Sequence, residues 1–481
     1  MCYNVNIETR LKRLVDILKK KRESFMNYVE IINLAFTIIF GLMGLVYCHF
    51  VILGIVGVFF KKKYPKTEKK LRYGCIIPAR NEEIVVGNLI ESIKKSKYPQ
   101  DKLDIFVIAH NCTDKTAEVA RKAGAIVYEY NNENEKTMGY AFKYLFSRIE
   151  EDYGTQSYDG FFLFNADNLV DAEFFDKMND AFIARGQKDI ITSFRNTKNF
   201  DSNALSALYG LFFIYACRLE SRGRTALGLS TRVQGTGYVI PKELVKDGWK
   251  YVTLTEDWEF SADQIIRGNK ICYCEDAMFY DEQPTKIKVM WRQRVRWAKG
   301  HLLVCITRFK DLMKALFGRK KEGATHYKAS VYDISINILP VCIIGVSLTL
   351  LQLVLLLICP FFGCDLGDTM WGYLWGTIRG AITFYVSTAL TAIIVYLLER
   401  KRIKSKRKLP IILSIILWPI FTFIATPMEI VALFKKNLAW KPIPHEDNTN
   451  ISKIEMLKAG EVTEKVSDEN PLKNKDQDSV A

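Results

Sequence analysis

Four long stretches of this chain contain no Asp, Glu, Lys or Arg: residues 31–60, 334–364, 380–398 and 409–428. Crossing about 30 Å of hydrocarbon takes roughly 20 apolar residues of helix, and each stretch matches or approaches that length. A helix in a water-soluble core rarely runs so far without a charge. The chain is therefore expected to be anchored in a bilayer, with residues between the first and second runs facing water. The first run is too long, and begins too far along the chain, for a cleaved leader, so it reads as a retained anchor.

Charge supports the same reading. The 68 Lys and Arg outnumber the 53 Asp and Glu, for a net +15. Nucleic acid is a common partner of such a charge, but no base-reading module accompanies it, and the basic residues flank the apolar runs instead. Seven lie before residue 31, Lys61–Lys63 follow the first run, and seven fall between Arg400 and Lys408. That placement fits contact with anionic membrane lipids and no nucleic acid. Segment 365–379 has two Asp and one Arg, whereas 399–408 is heavily basic. The first is thus expected outside and the second in the cytoplasm, so that 334–364 runs outward, 380–398 runs inward, and the water-facing domain is cytoplasmic in a multi-pass cell-membrane protein. Runs 31–60 and 409–428 are basic at both ends, and the latter holds Pro410, Pro419 and Pro427, so their direction stays open. The 11 cysteines form no pair of CxxC motifs and read as small buried hydrophobes.

Between the membrane runs, short strands and helices alternate. Strands are expected at 73–78, 104–109, 125–130 and 160–164, and helices at 82–95, 113–123 and 140–149. This pattern predicts an α/β fold with a mostly parallel sheet covered by helices on both faces, its ligands gathering at the carboxyl ends of the strands. The expected divisions are a basic amphipathic segment (1–30), a transmembrane helix (31–60), a water-facing domain (61–330), a C-terminal transmembrane region (331–434, with spans at about 334–364, 380–398 and 409–434) and a polar, disordered tail (435–481). Stretches 205–219 and 287–317 mix Trp, Phe and Leu with Arg and Lys, as amphipathic interface helices do.

Four polar clusters interrupt this pattern. Ile76-Ile77-Pro78-Ala79-Arg80-Asn81-Glu82-Glu83 ends the first strand, where a polar loop before a helix offers N–H groups and a carboxylate to a ligand; alone it also reads as a helix start capped by Asn81. Ile108-Ala109-His110-Asn111-Cys112-Thr113-Asp114 ends the second strand. Thr113 as a cap and Asp114 in the first helical turn explain most of it, with His110 left between base recognition and an ordinary hydrogen-bonded role. Phe161-Phe162-Leu163-Phe164-Asn165-Ala166-Asp167-Asn168 is a buried strand with a polar end. Strand alternation would point Asn165 and Asp167 to one side, where a carboxylate can hold Mg²⁺ or Mn²⁺ together with diphosphate oxygens. Thr255-Glu256-Asp257 is followed by Gln293-Arg294-Val295-Arg296-Trp297, in which Gln293, Arg296 and Trp297 share a helix face. They offer an amide, a guanidinium for phosphate charge and a ring for stacking on a sugar; an interfacial helix would carry the same residues.

In this order the motifs P-A-R-N-E-E, N-C-T-D, N-A-D-N, G-T-G-Y, T-E-D and Q-R-V-R-W resemble family 2 of the glycosyltransferases, which includes cellulose, chitin and hyaluronan synthases, over about residues 70–305. The resemblance implies a GT-A fold and inverting transfer of a sugar from a nucleotide sugar, UDP-linked by expectation, to a glycan or lipid-linked acceptor, with polysaccharide-export partners in a polymerising member. It implies that Ala79, Arg80 and Glu82 line the nucleotide, that His110 and Asn165 stand at donor-site positions, and that Asp167 is the ligand of a Mg²⁺ or Mn²⁺ cofactor. It further implies that Gly235, Thr236, Gly237 and Tyr238 shape the acceptor site beside Glu256, that Asp257 is the general base, and that Gln293, Arg296 and Trp297 bind diphosphate and acceptor. Three positions depart from the family pattern. His110 replaces a frequent Asp, Asn165 the first Asp of DxD, and Met138 a Lys, with Lys136 two residues earlier. These departures make a catalytically silent scaffold or regulator the rival reading; a transporter is disfavoured by the scarcity of polar residues in the spans.

Overall fold

Backbone groups in a stretch as apolar as 31–60 have few partners but one another, and the chain there is helical. In the computed structural model, which describes residues 2–319, 321, 323–362, 365–403, 405, 407–435 and 442–459, it begins with α1 (Cys2–Tyr47) and α2 (His49–Phe59). The expected boundary at residue 30 is absent, because α1 continues through it; the break comes at Cys48.

The predicted alternation follows as β1 (Tyr73–Ala79), α3 (Val86–Lys94), β2 (Leu103–His110), α4 (Thr116–Lys122), β3 (Ile126–Tyr130), α5 (Met138–Asp152) and β4 (Gly160–Leu163). Next come β5 (Leu169–Val170), α6 (Phe174–Ala184), β6 (Ile190–Thr197), α7 (Ala204–Tyr215), a π-helical turn at 216–221, α8 (Arg222–Ala226), β7 (Tyr238–Pro241), α9 (Glu256–Arg267), β8 (Ile271–Asp281) and α10 (Ile287–Phe317). One sheet has the order β3-β2-β1-β4-β7-β6-β8-β5. It is mixed, with parallel pairing predominating as expected. β1 to β4 and the pair β6–β8 are parallel, but β7 runs antiparallel to β4 and β6, and β5 antiparallel to β8. Strict one-to-one alternation ends at β4, where β5 follows with no intervening helix, and β7 enters the sheet between β4 and β6 in the opposite direction.

Strand alternation sends β1 side chains into two cores. Cys75 and Ile77 join Phe162, Phe174 and Phe175 on one face, while Ile76 joins Phe106, Leu145 and Phe161 on the other. A third cluster forms where α7 meets α13 (Leu366–Glu399) and α14 (Lys408–Phe423), through Tyr209, Phe213, Trp418 and Phe421. Stretch 205–219 is accordingly no interface helix with a wet face. Ser206–Leu211 are all buried and the segment is interior, because α13 and α14 pack over it.

The remaining helices are α11 (Tyr327–Ile338), α12 (Val341–Ile358) and, after α14, α15 (Ala425–Phe434) and α16 (Ile451–Ala459). Among the described residues four helices are long and apolar enough to cross a membrane: Val29–Phe59, Val341–Phe361, Leu366–Glu399 and Lys408–Phe434. The expected span 334–364 is shortened because Pro340 holds Leu339 in an extended conformation and breaks the helix. The expected outer segment 365–379 is instead the first half of α13. Pro419 lies within α14, and the last span bends at Ile424, between α14 and α15.

The domain and the apolar helices meet at close range. A Cβ on Gly223 would lie 2.1 Å from Leu53 O, and one on Gly57 would lie 2.6 Å from Arg218 O, so α2 crosses α8 and the π turn almost backbone to backbone. Buried Arg224 is held beside this crossing by Asp333 of α11, at 2.6 and 3.1 Å, and by Glu220 at 3.2 Å. An irregularity in β8 projects Glu275 toward Arg222 (3.0 Å) and Arg402 (3.1 Å), while Arg218 reaches Glu399 of α13 at 2.8 Å. The tail is not wholly unstructured either. Residues 442–450 lie against the domain without regular secondary structure, and Ile451 and Ile454 bury against Leu169 and Tyr280; the rest of the expected disordered segment, 436–441 and 460–481, lies outside the described residues.

Gly223→Val should force this crossing apart and cost about 1–3 kcal/mol. Asp333→Ala, by leaving a buried guanidinium short of a partner, should cost about 3–5 kcal/mol. Thermal unfolding in detergent checks both; unchanged midpoints would show that the junction does not hold the fold.

Candidate active site

The loops after β1 and β2 are shaped by two asparagines that tolerate left-handed backbone, Asn81 (φ 59°) and Asn111 (φ 53°). Neither loop caps a helix as the sequence suggests, since α3 begins at Val86 and α4 at Thr116. Instead Asn81 Oδ1 accepts from the Thr113 N–H at 2.8 Å, and Asn111 Oδ1 from the Asn132 N–H at 2.7 Å. Asp114 accepts from both the N–H and the hydroxyl of Thr116, at 3.0 and 2.6 Å. The loops are thereby stitched together and their outer rims face a common opening.

That opening is a cavity of about 250 Å³ at the carboxyl ends of β1, β2 and β4. Its walls include Ala79, Arg80, Glu82, His110, Asn165, Asp167, Gly235, Glu256, Asp257, Gln293, Arg296 and Trp297, drawn from segments more than two hundred residues apart. Three expected residues do not line it. Thr236 is buried against Asn168 and accepts from the Asn165 N–H at 2.8 Å, Gly237 backs onto Phe279, and Tyr238 points from β7 into the core beside Phe260. Of the G-T-G-Y motif only Gly235 reaches the cavity, at φ 81°, and a Cβ there would lie 3.6 Å from Asp257 Oδ2.

Asn165 and Asp167 do not owe their shared cavity to strand alternation. β4 ends at Leu163 and both belong to the turn that follows, closed by the Asn168 N–H on Asn165 O at 3.1 Å. Asp167 Oδ2 accepts the Glu282 N–H at 2.8 Å, and Oδ1 the Asn168 amide at 3.3 Å. Among the described residues no three His, Cys, Asp or Glu gather as a metal cluster, so the protein would offer a divalent ion one carboxylate and the neighbouring Asn165 amide. Such a set fits a hard cation that takes its other oxygens from diphosphate and water.

His110 is buried, with Nε2 2.7 Å from Glu135 O and its ring stacked on Tyr130 at 5.6 Å; burial lowers its pKa. Met138 occupies the wall at the start of α5, and Lys136 lines the same cavity. The cation that seemed displaced in sequence is therefore present in space.

Glu256 and Asp257 open α9, where the helix N-terminus favours negative charge. Burial is stronger. It pushes Glu256, aided by the adjacent Asp257 charge, up to about 8, and it raises Asp257 against the opposing pull of Arg296. Arg296 donates to Leu254 O at 2.8 Å, and the Gln293 side-chain oxygen is buried without a partner. Trp297 packs edge-on to Tyr209 and Phe213.

Sequence reasoning missed several wall residues. Arg195 grips Asp281 at 2.5 Å and donates to Gln234 O at 2.8 Å. His301 packs on Trp258 at 4.1 Å and is held down to about 3 by burial and Arg232. His445 comes from the tail, its Nδ1 2.8 and 3.0 Å from the two oxygens of Glu82. Burial opposes a charge on His445, but Asp167, Glu82 and Glu282 outweigh it and raise the pKa to about 9. The available signal was the pair Pro442 and Pro444, which favours extended chain.

Residues 72–300 match the family model described as glycosyltransferase like family 2. The chain carries a family 2 glycosyltransferase domain. Over 259 residues it is 24% identical to the probable glycosyltransferase YdaM of Bacillus subtilis (strain 168), covering 51% of this chain and 60% of that one. Over 251 residues it is 24% identical to a poly-beta-1,6-N-acetyl-D-glucosamine synthase of Staphylococcus aureus (strain COL), covering 50% and 57%. The matches thus span about three-fifths of these relatives' lengths. The mannosyltransferase PcManGT of Pyrobaculum calidifontis, solved with GDP-Man and Mn²⁺, superposes with a TM-score of 0.50 at 14% identity, over 85% of this chain and 100% of that one. The glycosyltransferase domain thus has the GT-A fold, and its cavity lies where that sheet presents its strand ends.

A folded pKa of about 8 for Glu256, against an ordinary 4.5, means that the folded domain retains a proton the unfolded chain releases. This contribution to stability is complete below pH 4.5 and is lost as pH rises toward 8. Glu256→Gln should therefore flatten the decline of melting temperature between pH 5 and 8. An unaltered slope would mean that Glu256 ionises freely.

Proposed function

We propose that the protein transfers a sugar, with inversion, from a nucleotide sugar to a glycan or lipid-linked acceptor at the cytoplasmic face of a membrane, in polysaccharide synthesis. The observation that carries this reading is the convergence of Asp257, Arg296 and Asp167 on one cavity. A single displacement at the anomeric carbon needs a base on one side and charge compensation on the other. Asp257 is the base. It accepts the acceptor hydroxyl's proton, and its raised pKa makes it a stronger base than an exposed aspartate. Glu256, neutral through most of the physiological range, adds no second negative charge. Arg296, with Arg80, faces the charge that develops on the departing diphosphate, the kind of preorganised stabilisation that dominates such reactions. Gln293 offers its unpartnered oxygen to a hydroxyl, and Trp297 contributes a ring wall for the acceptor sugar. Asp167 and Asn165 would hold Mg²⁺ or Mn²⁺, which when bound supplies Lewis-acid neutralisation of the diphosphate.

Likeness to the poly-beta-1,6-N-acetyl-D-glucosamine synthase makes a UDP-linked N-acetylhexosamine the first donor to test. A second cavity, of about 640 Å³, is walled by Tyr47, Phe50, Leu302, Val341 and Phe384 and shares His301 with the first. Its position among the apolar helices supports an acceptor that approaches from the membrane side.

Purified protein in detergent, given Mn²⁺ and a panel of UDP-sugars, should release UDP with one donor preferred. Asp257→Asn should lower turnover about 10²–10⁴-fold, the range for loss of a general base, while nucleotide affinity persists. The wild-type rate should fall on acidification at a pH above that of an ordinary aspartate, because the base must be ionised to act. No release with any donor would favour the silent scaffold, to which Asn165 and Met138 point.

A further inference from the structure

The two cavities differ in the charge of their walls. Arg80, Lys136, Arg195, Arg232 and Arg296 line the first, whereas no Lys or Arg among the described residues lines the second. Most of the second wall is apolar, from Phe50 of α2, Leu302 of α10, the corner between α11 and α12, and Phe384 of α13. Its volume of about 640 Å³ suits a small-molecule site, for which roughly 300–1,000 Å³ is usual. Besides two tyrosines, its polar wall residues are Glu220, His301, Asn337 and Glu429. Glu220 is engaged by Arg224 and Arg232, at 3.2 and 2.7 Å, and neither arginine lines the cavity. Asn337 donates its amide to Asp333 O at 2.8 Å. Glu429 is different. It lies in the apolar helix Lys408–Phe434, with the Cys342 thiol of α12 as a polar neighbour, and its Oε2 is buried without a hydrogen-bond partner. His301 stands in both walls and packs on Trp258, the residue after Asp257, at 4.1 Å. Burial keeps that imidazole uncharged, so the partition adds no cation to the second cavity.

We propose that the second cavity selects the acceptor: it takes an uncharged, hydroxyl-bearing lipid head, such as that of a glycolipid, in preference to a lipid phosphate, and Glu429 recognises the hydroxyls. The inference rests on the transferase reading above and narrows its acceptor. A buried oxygen without a donor is costly, and a ligand that supplies the donor gains what the folded chain forgoes. A hydroxyl both donates and accepts, so it satisfies Glu429 whether the carboxyl is ionised or protonated. A phosphate brings negative charge and oxygens that chiefly accept. Placed beside Glu429 with no Lys or Arg in the wall, it would be a buried anion without compensation. The apolar wall takes the alkyl chain, and the reacting hydroxyl extends past His301 toward Asp257. There its oxygen bonds the anomeric carbon, the bond from that carbon to the diphosphate breaks, and the hydroxyl proton passes to Asp257. Glu429 touches no reacting atom; it positions the head.

The test uses the full chain in phosphatidylcholine nanodiscs and two photoreactive probes with the same diazirine-bearing alkyl chain, one ending in a β-glucoside and the other in a phosphate monoester. Mass spectrometry of the labelled peptides should place the glucoside probe on α12 and α15 at the cavity, displaced by unlabelled octyl β-glucoside, with the phosphate probe far weaker there. Glu429→Leu keeps the volume but removes the polar oxygens, and should lower the displaceable labelling about tenfold, the worth of a hydrogen bond to a buried group. Glu429→Gln, which retains an accepting oxygen, should keep most of it. Equal labelling by the phosphate probe, undiminished labelling of Glu429→Leu, or no displaceable labelling in the wild type each overturns the proposal. With the UDP-sugar selected from the donor panel, octyl β-glucoside should act as acceptor, and Glu429→Leu should raise its KM without a matching fall in kcat. Absence of UDP release with every donor counts against the transferase reading alone, since the labelling is read without turnover.

Discussion

Everything in this molecule hangs on how buried charge is balanced where the catalytic domain meets the apolar helices. Arg224 is enclosed at the crossing of α2 and α8, and only the two-pronged contact with Asp333, backed by Glu220, makes its burial tolerable. The same region contains the near-contact of backbones at Gly57 and Gly223 and the Arg218–Glu399 and Arg222–Glu275 pairs. Together they tie the domain to the apolar helices, with α11 packing in turn on α9 and α10. Since α9 carries Asp257 and α10 carries Arg296, the junction also sets the back wall of the cavity.

The cavity repeats this balance with a different outcome. Carboxylates come from the loop after β1, the turn after β4, the start of α9 and the end of β8, and cations from the loop after β1, the residues just before α5 and β7, β6, α10 and the tail. The pairs are unequal. Arg195 is paired with Asp281, whereas Glu256 and Asp257 are opposed chiefly by Arg296. Burial and the adjacent Asp257 charge explain why Glu256 holds its proton, and Glu82, Asp167 and Glu282 together favour the histidine of the tail beside Glu82.

Much of this was legible along the chain. The first four strands fall within a residue or two of their expected positions, and the four apolar runs all become helices. Twelve of the residues expected at the site line one cavity. The misreadings share a cause. Leu205–Leu219 looks two-faced because it mixes ring and basic side chains, yet it is interior because α14 covers its second face. Tyr238 belongs to a motif, but the direction of its strand turns it into the core. Asn165 and Asp167 share a cavity through a turn, although a strand would have predicted the same outcome for the wrong reason.

What the amino-acid sequence determined by itself is whatever depends on local period and on residue chemistry. That includes where helices can lie in lipid, where strands and helices alternate, and which polar residues collect at strand ends. Tertiary structure alone decided which of those residues face one another and what stands beside them. His445 and Glu82 are 363 positions apart, and no periodicity relates them. They meet because Pro442 and Pro444 favour extended chain, Ile451 and Ile454 need burial, and Glu282 has two oxygens to offer the backbone. Each is a weak preference, and only the assembled surfaces make them act at one place.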